Sequence, residues 1–270
     1  MKYKLIAADL DDTVLHSDHS VSDRLARAVS AYKKAGGRFV IATGRMYSGA
    51  LNACRKLGLT GEIIAYQGCL VVDIESGRIL ETSPLPHDLT VRICDFAEER
   101  GLYFQLYEND TFIIERVTPY SERYAHFTSC SPKVAGIPLS KYARAHKTES
   151  VKVLLMTEPE NVPALITEVN AHFGAEVLAN TSKPYIVEIV TNRMNKGIAV
   201  ARLAKKYGIP QEAVACIGDS MNDVPMLNWA GFAVVVENGS AVAKAEADLI
   251  VPSNNDDGAA IAVEKITLIS

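Results

Sequence analysis

No stretch of the 270-residue sequence approaches 18 consecutive apolar residues, so no segment is expected to cross a membrane as a helix. CxxC pairs are missing too. The five cysteines, Cys54, Cys69, Cys94, Cys130 and Cys216, are scattered and odd in number. That pattern excludes a disulfide framework and a zinc site of paired thiols, and it is expected of buried thiols in a reducing cytoplasm. No block or stripe of Lys and Arg stands out, and the formal net charge is -4, so the footprint of a nucleic-acid binder is missing. Met1-Lys2-Tyr3-Lys4 leads straight into an apolar segment, with neither the h-region nor the cleavage site of a secretory signal, and a cytoplasmic location is expected. Internal repeats and low-complexity tracts are lacking as well. What is present is 48% hydrophobic and 22% charged residues, enough for a buried core in one large domain or two ordinary ones.

The first 80 residues alternate strand and helix. Strands are expected at residues 5–8, 38–42 and 62–66, with a helix after Ser20, which pairs with Asp23 as a capping box, and another through Leu51 and Leu57. Such alternation implies βαβ units and a parallel sheet. A hairpin follows at residues 70–74 and 78–81. Pro84-Leu85-Pro86 reads as a hinge, since proline suits neither a helix interior nor a central strand. Beyond it the grammar is α+β: a helix at 88–100, a tight hairpin at 102–107 and 111–116, an irregular stretch at 118–146, a strand at 151–156, a helix at 162–173, then strands at 177–180 and 185–190. After Val190 alternation returns, with helices at 196–207, near 241–246 and near 258–265, and strands at 213–217, 232–236 and 249–251. The simplest architecture is a parallel α/β sheet domain with a smaller α+β domain inserted in it.

Acidic residues crowd one strand end. Asp9-Leu10-Asp11-Asp12-Thr13 follows the apolar run Leu5-Ile6-Ala7-Ala8 directly. Two carboxylates about 4 Å apart repel by about 4 kcal/mol at an effective dielectric near 20, which calls for a cation between them. Strand alternation turns Asp9 and Asp11 to one side, at the edge where open α/β sheets bind ligands. Taken alone, the segment also fits a solvated turn. Three further segments share the edge. Thr43-Gly44-Arg45 offers a hydroxyl and backbone amides suited to a phosphate, or an ordinary turn. Gly218-Asp219-Ser220-Met221-Asn222-Asp223 offers hard oxygens suited to Mg²⁺, or a helix cap. Lys196, next to Asn195 and Gly197, opens a helix, and by itself it reads as a surface lysine. All four at one edge of one sheet favour a site over four coincidences.

Together these segments resemble the haloacid dehalogenase superfamily of phosphohydrolases, and the place and size of the insert resemble its Cof-type sugar-phosphate phosphatases. The resemblance covers nearly the whole chain, including Asn195-Lys196-Gly197 and residues 253–260. It implies a Rossmann-like core with helices on both faces, residues 1–83 and 191–270, and an α/β cap, residues 84–190, that selects the substrate. It further implies a Mg²⁺-dependent phosphatase of small phosphorylated metabolites, most simply sugar phosphates. Asp9 would be the nucleophile forming an aspartyl-phosphate, and Asp11 the general acid/base. Mg²⁺ would be held by Asp9, the Asp11 backbone carbonyl and Asp219, with Asp223 orienting this set from behind. The Leu10 backbone, Thr43, Gly44, Lys196 and Asn222 would hold phosphate oxygens. Arg45 touches phosphate or is a loop arginine; Lys183 and Tyr185 are the first cap positions to test; His16 and His19 read as loop residues. Two positions depart from the family: Asp12 where Gly is frequent, and Gln67 where Asn often precedes Gly68. A phosphohexomutase of the same superfamily, and a phosphoacceptor signalling or metabolite-sensing protein, are the competing readings.

Overall fold

The computed structural model describes residues 1–128, 130–181 and 183–269, and the chain divides into two compact units: Met1–Glu81 with the chain from Asn195 onward, and Thr82–Met194. In the first unit, β1 (Leu5–Ala8) is buried along its whole length. It ends in a wide turn over Leu10–Val14, in which Asp12 has a φ of 58°. Helix α1 (Asp23–Lys34) begins at Ser22, whose hydroxyl accepts the Leu25 N–H at 3.1 Å. The expected Ser20 cap is therefore corrected by two residues. Ser20 lies in the loop before the helix, its carbonyl accepting the His16 N–H and its own N–H directed to Asp18, while Asp23 is already helical. Next come β2 (Arg38–Ile41), α2 (Tyr47–Lys56), β3 (Glu62–Ala65), β4 (Leu70–Asp73) and β5 (Ile79–Thr82).

β3 departs from simple alternation. It touches the segment after β2 through one parallel bridge, Ala42 to Ile64, and otherwise pairs antiparallel with β4 in a separate β3-β4-β5 sheet. The cause is the tight turn at Tyr66-Gln67-Gly68, where three consecutive positive φ values (51°, 59° and 99°) fold β4 back on β3.

The second unit contains α3 (His87–Glu99), β6 (Tyr103–Glu108), β7 (Thr111–Ile114), α4 (Pro119–Thr128), β8 (Lys133–Val134), α5 (Leu139–His146), β9 (Val153–Met156), α6 (Val162–Phe173), β10 (Val177–Asn180) and β11 (Ile186–Thr191). Its sheet runs β10-β11-β9-β6-β7-β8, antiparallel except between β7 and β8. Strand alternation sends Phe104, Leu106, Val153, Leu155, Val187 and Ile189 into a core shared with Leu89, Ile93 and Phe96 of α3 and Leu165 and Val169 of α6. Residues of the opposite parity include Gln105, Tyr107 and Glu188, which are buried and polar.

The chain then completes the first unit with α7 (Lys196–Lys206), β12 (Val214–Gly218), α8 (Val224–Trp229), β13 (Phe232–Val236), α9 (Ala241–Ala245), β14 (Leu249–Val251) and α10 (Gly258–Leu268). Its main sheet is parallel throughout, in the order β14-β13-β12-β1-β2. Parallel strands apolar on both faces need helices on both, and β1 and β12 are buried at every residue. The register pairs Ala8 with Ile217. The residues that follow, Asp9 and Gly218-Asp219, therefore leave the sheet side by side.

Candidate active site

Asp9 continues the β1 ladder by one bond, its N–H donating to the Ile217 carbonyl at 2.9 Å. Asp9 is 5% exposed, and its carboxylate accepts from the Lys196 ammonium. Lys196 has no exposed surface at all. It is the first residue of α7, which Asn195 caps by accepting the Ile198 N–H at 2.9 Å. The same ammonium donates to Asp223 Oδ1 at 2.6 Å. Asp223 is fully buried, and its Oδ2 accepts the N–H groups of Asp219 and Ser220, each at 3.0 Å. A Cβ on Gly218 would lie 2.7 Å from the Asp223 Cβ, so only glycine lets the acidic loop close on that carboxylate.

Asp219 accepts from Thr13 Oγ1 at 2.8 Å. Carboxylate oxygens of Asp9, Asp219 and Asp223 lie within 4.8 Å of one another. Burial, opposed by Lys196, raises the Asp9 carboxyl well above the ordinary range. Burial and then Asp223 push Asp219 up to about 7. Burial would lower the Lys196 ammonium, but Asp223 and Asp9 keep it above its usual value. With all three carboxylates ionised, the one ammonium would leave two negative charges uncompensated in a low-dielectric site, which is why burial favours their protonated forms when no cation is bound. That deficit and an all-oxygen donor set fit a hard dication such as Mg²⁺. The fit is better for Asp9 and Asp219 than for Asp223, whose oxygens already serve Lys196 and two amides.

Thr43, also fully buried, ends the strand above the Ala42 bridge; its N–H donates to the Ile64 carbonyl at 2.9 Å and its carbonyl accepts the Gln67 N–H at 3.0 Å. A Cβ on Gly44 would lie 2.3 Å from Gln67 Nε2, so the glutamine amide sits directly against the Gly44 backbone. Gln67 Oε1 accepts from Asn222 Nδ2 at 3.1 Å, and Ser220 Oγ donates to Asn222 Oδ1 at 2.6 Å. Gln67 thus ties the Thr43-Gly44 loop to the loop carrying Asn222. In the sequence it stood out only as a departure before Gly68. Arg45 pairs with both oxygens of Asp11, at 2.8 and 2.5 Å.

Asp12 is accommodated at its positive φ by a clamp. Its carbonyl accepts from Asn238 Nδ2 at 2.7 Å, Asn238 Oδ1 accepts the Asn254 N–H at 2.8 Å, and Asn254 Nδ2 donates to the Leu15 carbonyl at 2.9 Å. Leu10 is buried within this turn, its carbonyl accepting the Leu15 N–H at 2.8 Å. Sequence reasoning missed Asn238 and Asn254, because an asparagine outside a periodic pattern gives no sign of a partner far away in the chain. The structure brings Asp9, Asp219, Asp223 and Lys196 together, and joins Thr43, Gly44 and Asn222 through Gln67. Lys183 and Tyr185 belong to the second unit, where the Arg123 guanidinium lies 3.7 Å over the Tyr185 ring. His16 lies 3.7 Å from the Asp257 carboxylate, and His19 Nδ1 lies 3.4 Å from Arg45 Nη2.

A parallel sheet whose chain is interrupted, after β2 and the separate β3-β4-β5 sheet, by a second unit, with acids, Thr-Gly and a buried lysine at its carboxyl edge, defines the class. The chain belongs to the haloacid dehalogenase-like hydrolases, whose family model matches residues 6–263. YxeH of Bacillus subtilis (strain 168) is 30% identical over 272 residues, covering 98% of this chain and 99% of its own. YitU of the same organism, named as 5-amino-6-(5-phospho-D-ribitylamino)uracil phosphatase, is 26% identical over 262 residues, covering 95% and 94%. The crystal structure of a haloacid dehalogenase-like hydrolase from Bacteroides thetaiotaomicron matches with a TM-score of 0.86 at 26% identity, over 98% of this chain and 99% of that one. The protein is a phosphoric monoester hydrolase of small phosphorylated molecules. Among the described residues no helix is long and apolar enough to cross a membrane.

Proposed function

We propose that the protein is a Mg²⁺-dependent phosphatase that hydrolyses sugar phosphates and similar small phosphorylated metabolites through an aspartyl-phosphate. The observation that carries this reading is the buried Asp9–Lys196–Asp223 arrangement beside Asp219. Asp9 is the one of these acids whose N–H still belongs to the sheet ladder, and Lys196 holds one of its oxygens in a fixed direction. An oxygen of Asp9 forms a bond to phosphorus as the ester P–O bond breaks, and Asp11 gives its proton to the departing alkoxide. Asp11 then takes a proton from water, the water oxygen bonds to phosphorus, and the Asp9 carboxylate is released with inorganic phosphate. Lys196, Thr43, the Gly44 and Leu10 amides and Asn222 hold the phosphoryl oxygens, which is electrostatic positioning.

Asp9, Asp219 and the Asp11 carbonyl would hold Mg²⁺, with Asp223 orienting the set, and the ion would offset the negative charge of the buried carboxylates, to which a phosphoryl dianion adds. The second unit selects the leaving group, because the residues of the first unit address only the phosphoryl group common to all monoesters. The ribityl phosphate in the name of YitU supports a phosphorylated polyol or sugar as the class. Lys183 and Tyr185 are the substrate contacts to test there. Purified protein is expected to hydrolyse p-nitrophenyl phosphate and members of a sugar-phosphate panel with Mg²⁺, and to stop with EDTA. Full turnover by Asp9→Asn would sink the nucleophile assignment.

A further inference from the structure

Lys196 begins α7 and Asp223 immediately precedes α8, and the same two helices enclose a groove that the reaction does not use. At the start of α7 they touch: a Cβ on Gly197 would lie 2.3 Å from the Pro225 carbonyl oxygen, so only glycine permits the approach. Further along, α7 presents the small side chain of Ala201, which leaves room. The groove has a volume of about 390 Å³, and Ile198, Ala201, Arg202 and Lys205 of α7 line it with Pro225 and Trp229 of α8. On α7 these are positions i, i+3, i+4 and i+7, a single face of the helix. Ala199, Val200, Leu203 and Ala204 occupy the opposite face and are buried. Trp229, the only tryptophan of the chain, is half-buried, and its carbonyl accepts from Gln211 Nε2 at 2.6 Å.

Among the described residues no acid lines this groove, and Arg202 and Lys205 are exposed and enter no ion pair. Lys206, the next residue, is by contrast paired with Glu62 at 2.7 Å. We propose that the groove is a binding site for a small aromatic carboxylate. A planar ring fits against the Trp229 indole, Ile198 and Pro225, where apolar area leaves water and ring stacking adds to the gain. The two carboxylate oxygens suit the two unpaired cations on the rim. The volume is that of a small-molecule site, apolar with a few polar groups to orient the ligand. A second copy of the chain is excluded as the occupant by charge, since two-fold pairing through this face would set Arg202 and Lys205 against the same two cations. The ligand is not the substrate either. At about 100° per residue, Ile198 and Lys205 lie about half a turn around α7 from Lys196, so the groove lies behind the lysine.

Because Trp229 stands alone, its indole N–H gives the one tryptophan side-chain resonance of the ¹⁵N-labelled protein and reports on the groove directly. Titration with 2-naphthoate should move this resonance to saturation, with a dissociation constant at or below about 1 mM, as ordinary ligand efficiency gives for a molecule of its size. The neutral isostere 2-naphthylmethanol should bind roughly fivefold more weakly or worse, because it lacks the charge-assisted contacts. In the double variant Arg202→Gln/Lys205→Gln the affinity for naphthoate should fall to that for the alcohol, with the melting temperature unchanged, since both substitutions are exposed. Inorganic phosphate at a concentration that inhibits turnover should leave the naphthoate titration as it was. An indole resonance that millimolar naphthoate does not move overturns the proposal, and so do equal affinities for the two probes. Undiminished naphthoate affinity in the double variant, or competition by phosphate, overturns it as well.

Discussion

Lys196 and Asp223 form an ion pair at 2.6 Å in which neither residue has exposed surface, and the same ammonium reaches Asp9. Removing one partner of a buried pair costs about 3–5 kcal/mol, because the other charge is left uncompensated. Lys196→Met is therefore expected to lower the melting temperature of the metal-free protein and to cut kcat at least 100-fold. Thermal unfolding and p-nitrophenyl phosphate turnover check both. A variant as stable and active as wild type would refute the central role of this lysine.

The excess of buried carboxylate predicts that Mg²⁺ stabilises the fold. A ligand bound only by the native state at 100 times its dissociation constant adds about 2.7 kcal/mol. A thermal shift with MgCl₂ titrated into EDTA-treated protein should show it. Asp219→Asn should abolish the shift without lowering the stability of the metal-free form, since it removes a charge that burial disfavours. A Mg²⁺ shift that survives in Asp219→Asn would show that the ion binds elsewhere.

Gln67 connects the two loops assigned to the phosphate. Gln67→Leu leaves the Asn222 amide without its acceptor, at a cost of about 1–2 kcal/mol in positioning. Inhibition by inorganic phosphate should weaken roughly 5- to 30-fold, while the melting temperature changes little. Product-inhibition constants that match wild type would mean that the loops hold their places without it.

In the second unit, Lys152 donates to Glu188, with Gln105, Tyr107 and Tyr124 hydrogen-bonded in series alongside. Both charges are almost completely buried. Glu188→Gln alone should destabilise by about 3–5 kcal/mol, whereas the double variant Lys152→Met/Glu188→Leu should recover most of that loss. Urea unfolding of the single and double variants measures the difference, and equal losses in both would contradict it.

On the surface of the first unit, Arg24 grips Glu264 with two hydrogen bonds, at 2.9 and 2.7 Å, joining α1 to α10. Those bonds hold the Glu264 carboxyl below its ordinary value. A depressed carboxyl contributes stability above its unfolded-state value and loses it as pH falls through the folded one. Glu264→Gln should therefore cost about 0.2–1 kcal/mol at pH 7 and low salt, and progressively less as pH falls through the carboxylate range. Salt should shrink the difference; a cost that stays constant as pH falls would point to packing.

Residue pattern alone determined the alternation of strands and helices, the change to mixed α+β grammar in the middle of the chain, and the acids, Thr43 and Lys196 at one sheet edge. These are local or periodic signals, and a parallel sheet translates them directly into position. Tertiary structure decided what no local signal encodes. Ser22 rather than Ser20 caps α1, because only the three-dimensional path shows which hydroxyl faces a free amide. β3 turned into its own sheet through the positive φ values at Tyr66-Gln67-Gly68. Asp12 found its clamp in Asn238 and Asn254, more than 220 residues away along the chain, and Gln67 found Asn222, 155 residues away. The partner of Arg45 emerged in the same way: a sequence shows that an arginine is present, but only the meeting of two strand ends places its fork on Asp11. Chemistry at a site depends on such distances, which a linear pattern does not contain.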